Sequence, residues 1–99
     1  MTEIKANKLI SNGFSTDEAE KLSQKIYEAI ISGDQVQVDF DGVQYFTTLF
    51  FSTALTYWVG EKGSEEYARL ITVKNLSESG QETYQHALDY AVEYYKMNP

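Results

Sequence analysis

The sequence predicts an α/β fold: a small mixed, largely parallel sheet with helices packed against it. Three observations carry this. Elements alternate as strand, helix, strand, helix, strand, helix along 99 residues. Gln35 to Phe40 alternates strictly between polar and apolar side chains, the pattern of a half-buried strand. Ser15 and Ser79 each stand three residues before a glutamate, the capping-box spacing that opens a helix. Right-handed crossovers between such strands make the central ones parallel.

Glu3 to Ile10 reads as a strand or extended arm closed by the turn pair Asn12-Gly13. After Ser15, Ala19, Leu22, Ile26, Ala29 and Ile30 recur at helical spacing, and Gly33 ends that helix as a left-handed cap. Val36, Val38 and Phe40 then share one strand face, with Gln35, Gln37 and Asp39 on the other. Asp41-Gly42 makes the exit turn, and Val43 to Phe46 continues extended. Thr47 or Thr48 caps a second helix reaching about Val59, with Phe51, Ala54, Leu55 and Trp58 inward and Gly60 and Gly63 as stops. Ser64 opens a short helix, Leu70 to Lys74 is a strand, and the final helix runs from Ser79 to about Met97 with Tyr84, Leu88, Ala91 and Tyr95 on its inner face. Tyr95 is expected to be buried, with Tyr90 and Tyr94 at the boundary.

Composition bounds the function. The formal net charge is −7, with 15 acidic and 8 basic residues, so counterion-releasing attachment to nucleic acid is excluded. Hydrophobic residues at 42% and aromatics at 14% exclude a disordered acidic tail, and the length allows one domain over residues 1–99. Without cysteine there is no disulfide framework, zinc knuckle or thiol catalysis. The opening MTEIKANKL lacks the apolar stretch of a signal peptide, which points to the cytoplasm.

The charges leave one gap. Gly42 to Gly60 holds 19 consecutive uncharged residues, too interrupted by Gln, Ser and Thr to read as a membrane span. Within it Leu49, Ser52, Thr53 and Thr56 form the outer side of the second helix, flanked by Phe50 and Tyr57. Either another element of the chain covers this side, or a charge-free outer face with exposed Leu49 and Phe50 is a docking surface or homodimer seam.

The segment VQVDFDGVQYFTTLFFSTAL, Val36 to Leu55, resembles the core of the STAS domain of sulfate transporters and anti-sigma-factor antagonists. The chain is similar, over roughly residues 8 to 95, to a STAS-like family of unknown function found in bacteria and mobile elements, on the strength of D-F-D-G-V and the distant K-N-L-S, Lys74 to Ser77. The resemblance implies a STAS-like topology of the anti-sigma-factor antagonist type. It also implies a regulator that binds a histidine-kinase-type ATPase or anti-sigma factor rather than an enzyme. In phosphorylated antagonists a serine at the start of the second helix is the switch. Here that run falls on Thr48, Leu49, Phe50 and Phe51, so the acceptor position holds Leu49, and Thr48 beside it is the candidate phosphoacceptor. Partner binding is assigned to Thr48, Leu49, Phe50, Ser52, Thr53, Thr56 and Tyr57.

Other candidates are weaker. Glu78, Glu82, His86, Asp89 and Glu93 line one stripe of the final helix, either a solvated face or an acidic surface that docks on a basic partner. Asp39 and Asp41 form a D-x-D pair at a strand's carboxyl end, read as turn capping ahead of a divalent-metal or hydrolytic site. His86 has no nucleophile or metal-ligand spacing beside it. No P-loop or glycine-rich motif supports a nucleotide or other cofactor. An alternative reading is an acidic phage or mobile-element inhibitor that mimics nucleic acid, of the anti-CRISPR or anti-restriction kind. Against it, the acids are spread, with residues 1 to 41 summing to −4 and 61 to 99 to −3.

Overall fold

The computed structural model describes residues 1–11 and 14–97, for the last two of which only the backbone is described. Strands β1 (Thr2–Lys5), β2 (Val36–Asp39) and β3 (Ile71–Lys74) form one sheet in the order β1-β2-β3. Both pairings are parallel, so among the described residues the sheet is wholly parallel rather than mixed. The register sets Ile4 beside Val38 and Val38 beside Val73, and Thr2 beside Val36 and Val36 beside Ile71. One parity therefore carries the apolar side chains and receives the helices.

The opposite parity carries Glu3, Lys5, Gln37, Asp39, Thr72 and Lys74. Parallel sheets are ordinarily covered on both faces. Here the uncovered face is made wettable by a charge lattice: Lys5 Nζ lies 3.1 Å from Glu3 and 3.4 Å from Asp39, and Lys74 Nζ lies 3.2 Å from Glu3. The hydrogen bonds from Lys5 and Lys74 hold the Glu3 carboxyl below the usual carboxylate range.

Helix α1 (Thr16–Ile31) starts where Ser15 Oγ accepts the N–H groups of Asp17 and Glu18. Glu18 reaches back to the N–H and hydroxyl of Ser11, tying the preceding arm to the helix. Ala19, Leu22, Ile26 and Ala29 are buried as their spacing requires, and Gly33, at φ 83°, lies just beyond the helix end. The expected first strand is shorter than its apolar run. It ends at Lys5 because Ala6–Lys8 closes into a 3-10 turn that carries Ala6 and Ile10 into the core. The turn pair Asn12-Gly13 lies outside the described residues.

Between β2 and β3, Thr47 Oγ1 accepts the Phe50 N–H and so caps α2 (Thr48–Phe51), which leads through a wide π turn (Ser52–Thr56) into α3 (Trp58–Lys62). Gly60 does not stop this run; Gly63, at φ 87°, does. Gly63 is also the N-cap residue of α4 (Ser64–Leu70), so Ser64 is its first helical residue and not its cap. The last helix, α5 (Glu78–Met97), is capped by Ser77, whose Oγ accepts the Gly80 N–H, and not by Ser79. Ser77 wins because its hydroxyl also donates to the Gln44 carbonyl at 2.7 Å, which pins the helix start to the loop after β2.

The core centres on an aromatic cluster. Phe46 stacks on Phe51 at 4.9 Å, Phe40 meets both rings edge-on, and Phe51 meets Tyr84 of α5 at 5.2 Å. Gly80 is required beneath Phe46, since a Cβ there would lie 2.9 Å from the ring. Tyr67 and Tyr84 hydroxyls share a 2.6 Å hydrogen bond, and burial pushes both phenols up.

Candidate functional site

The uncharged window builds most of the surface between α1 and α5. Leu49, at the start of α2, is 59% exposed, and Thr48 beside it is exposed. Ser52, Thr53 and Tyr57 are half-buried along the same side. Other elements of the chain therefore cover part of this side, while Thr48 and Leu49 stay exposed.

Two expected members of this surface are not on it. Phe50 is fully buried, its ring 5.8 Å from Phe46 and 5.5 Å from Phe51, because the apolar cluster extends around this side of α2. Thr56 is also fully buried. Ordinary helical spacing aligns it with Leu49, Ser52 and Thr53, but Thr56 is the last residue of the π turn, whose i to i+5 bond from Tyr57 N–H to the Ser52 carbonyl departs from that spacing. The Thr56 hydroxyl instead donates to the Phe51 carbonyl.

On either side of this window lies a cleft. One, of about 620 Å³, is bordered by Thr53 and Tyr57 and by Glu20, Ser23, Gln24 and Tyr27 of α1. Tyr57 is held there by a 3.1 Å hydrogen bond from Ser23. The other, of about 320 Å³, lies between Ser52, Thr56 and Tyr57 and the α5 residues Tyr90, Ala91, Tyr94 and Tyr95. Tyr90 and Tyr94 stack at 6.1 Å and are 66% and 47% exposed. Tyr95 is 36% exposed rather than buried; its ring lies across Gly60, in the space that a side chain there would need. Helical spacing puts these tyrosines at the boundary but does not join them to the neutral window; the signal for that link is the uncharged character of both walls.

The acidic stripe is present as spaced: Glu78, Glu82, His86, Asp89 and Glu93 are all exposed on α5, and Gln85 donates to Asp89 at 2.8 Å. Among the described residues no group of three or more metal-ligating side chains assembles.

The D-x-D pair is a turn device. Asp39 Oδ1 accepts the Asp41 N–H and the Asn75 side-chain amide, each at 2.9 Å, and these bonds, with Lys5 beside them, hold the Asp39 carboxyl below its usual range. Phe40 N–H donates to the Lys74 carbonyl, and the Ser77 hydroxyl to that of Gln44. The distant D-F-D-G-V and K-N-L-S segments are thus two halves of one latch at the carboxyl end of the sheet.

This geometry defines a small STAS-like α/β domain: a parallel sheet latched at its carboxyl end, with the helix after β2 displayed between two others. The chain belongs to the family described as STAS-like domain of unknown function, DUF4325, whose model matches residues 18–81. The matched span holds all but the first two residues of α1, the latch and the neutral window, and ends before the tyrosines of α5. No match was found among curated proteins or among solved structures. No helix among the described residues is long and apolar enough to cross a membrane.

Proposed function

We propose that this protein is a non-enzymatic regulatory module that binds a protein partner stoichiometrically through the α2 start and the neutral strip behind it. The observation that carries the reading is Leu49. A large aliphatic side chain stands 59% exposed at the head of an uncharged surface, in a chain whose other helices carry charge on their outer sides. The half-buried hydroxyls of Ser52 and Thr53 and the ring of Tyr57 extend the strip. Such a mixture of one aliphatic anchor, hydroxyls and tyrosine suits a desolvated interface centre, from which charge is usually excluded.

By the likeness to anti-sigma-factor antagonists, the partner class is a histidine-kinase-type ATPase or anti-sigma factor in the bacterial cytoplasm. Thr48 is exposed beside Leu49, so a phosphate there would bring roughly two negative charges to the anchor and release the partner. The nucleic-acid-mimic reading is less well supported, because Glu3, Asp39, Glu28 and Glu66 lie within 4 Å of lysine or arginine and not in a phosphate-like row.

Affinity capture from the native host, with Leu49→Glu and Thr53→Lys beside the wild type, tests the reading. Leu49 is exposed, where substitution shifts stability by only about 0.5 kcal/mol, and Thr53 is half-buried beside an open cleft on α1, so unfolding midpoints are read alongside capture. The expected result is a partner retained by the wild type and lost by both variants at unchanged unfolding midpoints. Equal retention by all forms overturns it.

A further inference from the structure

The sheet is open at β1, and the charges on that strand specify what fits there. β1 is an edge strand, paired on one side only. The Thr2 N–H donates to the Gln35 carbonyl, so Thr2 and Ile4 turn their backbone groups toward β2, and the alternation of a strand turns those of Glu3 and Lys5 outward. Outward N–H and C=O groups of this kind are a template for a further strand. Beside them a hollow of about 670 Å³ runs along all four residues of β1, with Ile4, Leu9 and Ala29 among its lining.

The charge pattern selects the occupant. Across the open face the register sets Lys5 beside Asp39 and Asp39 beside Lys74, a row of alternating sign that breaks off at the edge after a lysine. The next place in that row suits an acid. A second copy of β1 laid antiparallel, with Ile4 opposite the partner's Ile4, sets the partner's Glu3 beside Lys5 and, by the two-fold, Glu3 beside the partner's Lys5. Outward backbone groups of β1 meet only where Glu3 or Lys5 faces Glu3 or Lys5 of the other copy. The neighbouring registers that satisfy this oppose Glu3 to Glu3 or Lys5 to Lys5, so charge leaves one.

We propose that β1 pairs antiparallel with the β1 of a second copy, centred on Ile4, joining two three-stranded sheets into one. Each Lys5 N–H then donates to the partner's Glu3 carbonyl, and the two Ile4 side chains meet on the helix-covered face beside the hollow. A lysine guards an edge when it is brought against another lysine; in this register it meets an acid. The formal charge of −7 acts weakly between the two bodies, because the screening length at physiological salt is about 8 Å. The β1 edge shares no residue with the α2 surface, so the inference goes beyond the docking reading and does not rest on it.

Sedimentation equilibrium on the full chain, from about 10 μM to about 1 mM as suits a small interface, should show a reversible monomer–dimer equilibrium. Lys5→Pro and Lys5→Ala both lose the lysine, but only proline removes the outward N–H. Lys5 has φ −91°, near the proline range, and Ile4 before it is in a strand, so the fold should be kept. Lys5→Ala should weaken the dimer several-fold through its two cross-strand charge pairs, and Lys5→Pro should abolish it in this range. Cysteines read the register. The chain has none of its own, so Glu3→Cys and Lys5→Cys each carry one thiol. In the proposed pairing these two positions face one another with Cα atoms about 5.5 Å apart, within reach of a disulfide, while Glu3 to Glu3 and Lys5 to Lys5 lie beyond it. Oxidation of an equal mixture should give mainly the mixed cross-link.

A chain that stays monomeric throughout overturns the proposal, as does a dimer equally tight in the two Lys5 variants, or a statistical mixture of the three cross-links. A dimer that Leu49→Glu dissociates and Lys5→Pro leaves intact also overturns it, and assigns self-association to the α2 surface. If proline unfolds the chain, the cross-link pattern decides alone.

Discussion

The Asn75 side-chain amide donates to the Asp39 carboxylate across 2.9 Å while Asn75 itself holds a left-handed backbone, φ 60°. Asp39 ends β2 and Asn75 comes directly after β3, so one hydrogen bond joins segments 36 residues apart. Asparagine suits the position twice, as a residue that tolerates positive φ and as the donor that the carboxylate needs.

Three substitutions at Asn75 should separate these two roles. Asn75→Gly keeps the backbone relaxed and loses only the amide, whereas Asn75→Ala loses the amide and adds about 1 kcal/mol of left-handed strain. Asn75→Asp sets a second carboxylate against Asp39. Thermal unfolding at neutral pH should rank them wild type, then Gly, then Ala and Asp below; an Ala variant as stable as Gly would remove the backbone part of the explanation.

The same carboxylate gives an acid dependence. The Asp39 pKa is depressed by the Asn75 amide first, then by the Asp41 N–H and Lys5, so its stabilising effect is complete above the unfolded-state value near 4. It is lost as pH falls through the lower folded-state value. Asp39→Asn should start from a lower midpoint at pH 7 and decline less steeply in acid, as chemical denaturation at several pH values would reveal.

At high pH the Tyr67–Tyr84 pair acts with the opposite sign. Burial raises both phenols above the ordinary value near 10, so the folded chain keeps protons that the unfolded chain releases. Stability is untouched below that value and falls as pH rises beyond it. In an ultraviolet titration these two should ionise above the ordinary phenol range. Replacing both with Phe should flatten the alkaline decline.

Helix capping can be checked by a pair of alanines. Ser77→Ala removes both the cap on Gly80 and the 2.7 Å bond to Gln44, and should cost about 1 kcal/mol or somewhat more. Ser79→Ala should cost much less, since Ser79 only approaches the same carbonyl at 3.4 Å. Equal losses in denaturant unfolding would reassign the cap.

Gly80→Ala tests the aromatic core. In an exposed helix this change would stabilise by up to about 1 kcal/mol. Here the added methyl meets Phe46 at 2.9 Å, and overpacking of about 1–3 kcal/mol should outweigh it, for a net loss on the order of 1 kcal/mol. A raised unfolding midpoint would show that Phe46 yields freely.

Much of the fold is legible in local pattern. Val36, Val38 and Phe40 alternate because one sheet face is buried, and Leu22, Ile26 and Ala29 recur because one helix face is. Local pattern misplaces the residues whose position depends on another element. Thr56 obeys a helical wheel until the π turn rotates it inward, Phe50 is buried by a ring cluster assembled from three segments, and Ser79 looks like a cap until Gln44 engages Ser77 instead.

The candidate site divides the same way. The family, the latch motifs, the uncharged window and the exposure of Leu49 can all be read along the chain, since each is written in neighbouring residues or their periodicity. Packing between elements was needed to show that Asp39 accepts the Asn75 amide, and that Tyr90 and Tyr94 face the window across a cleft. These are relations between residues more than 30 positions apart. Periodicity reports which face of an element is buried, and carries no information on which other element lies opposite.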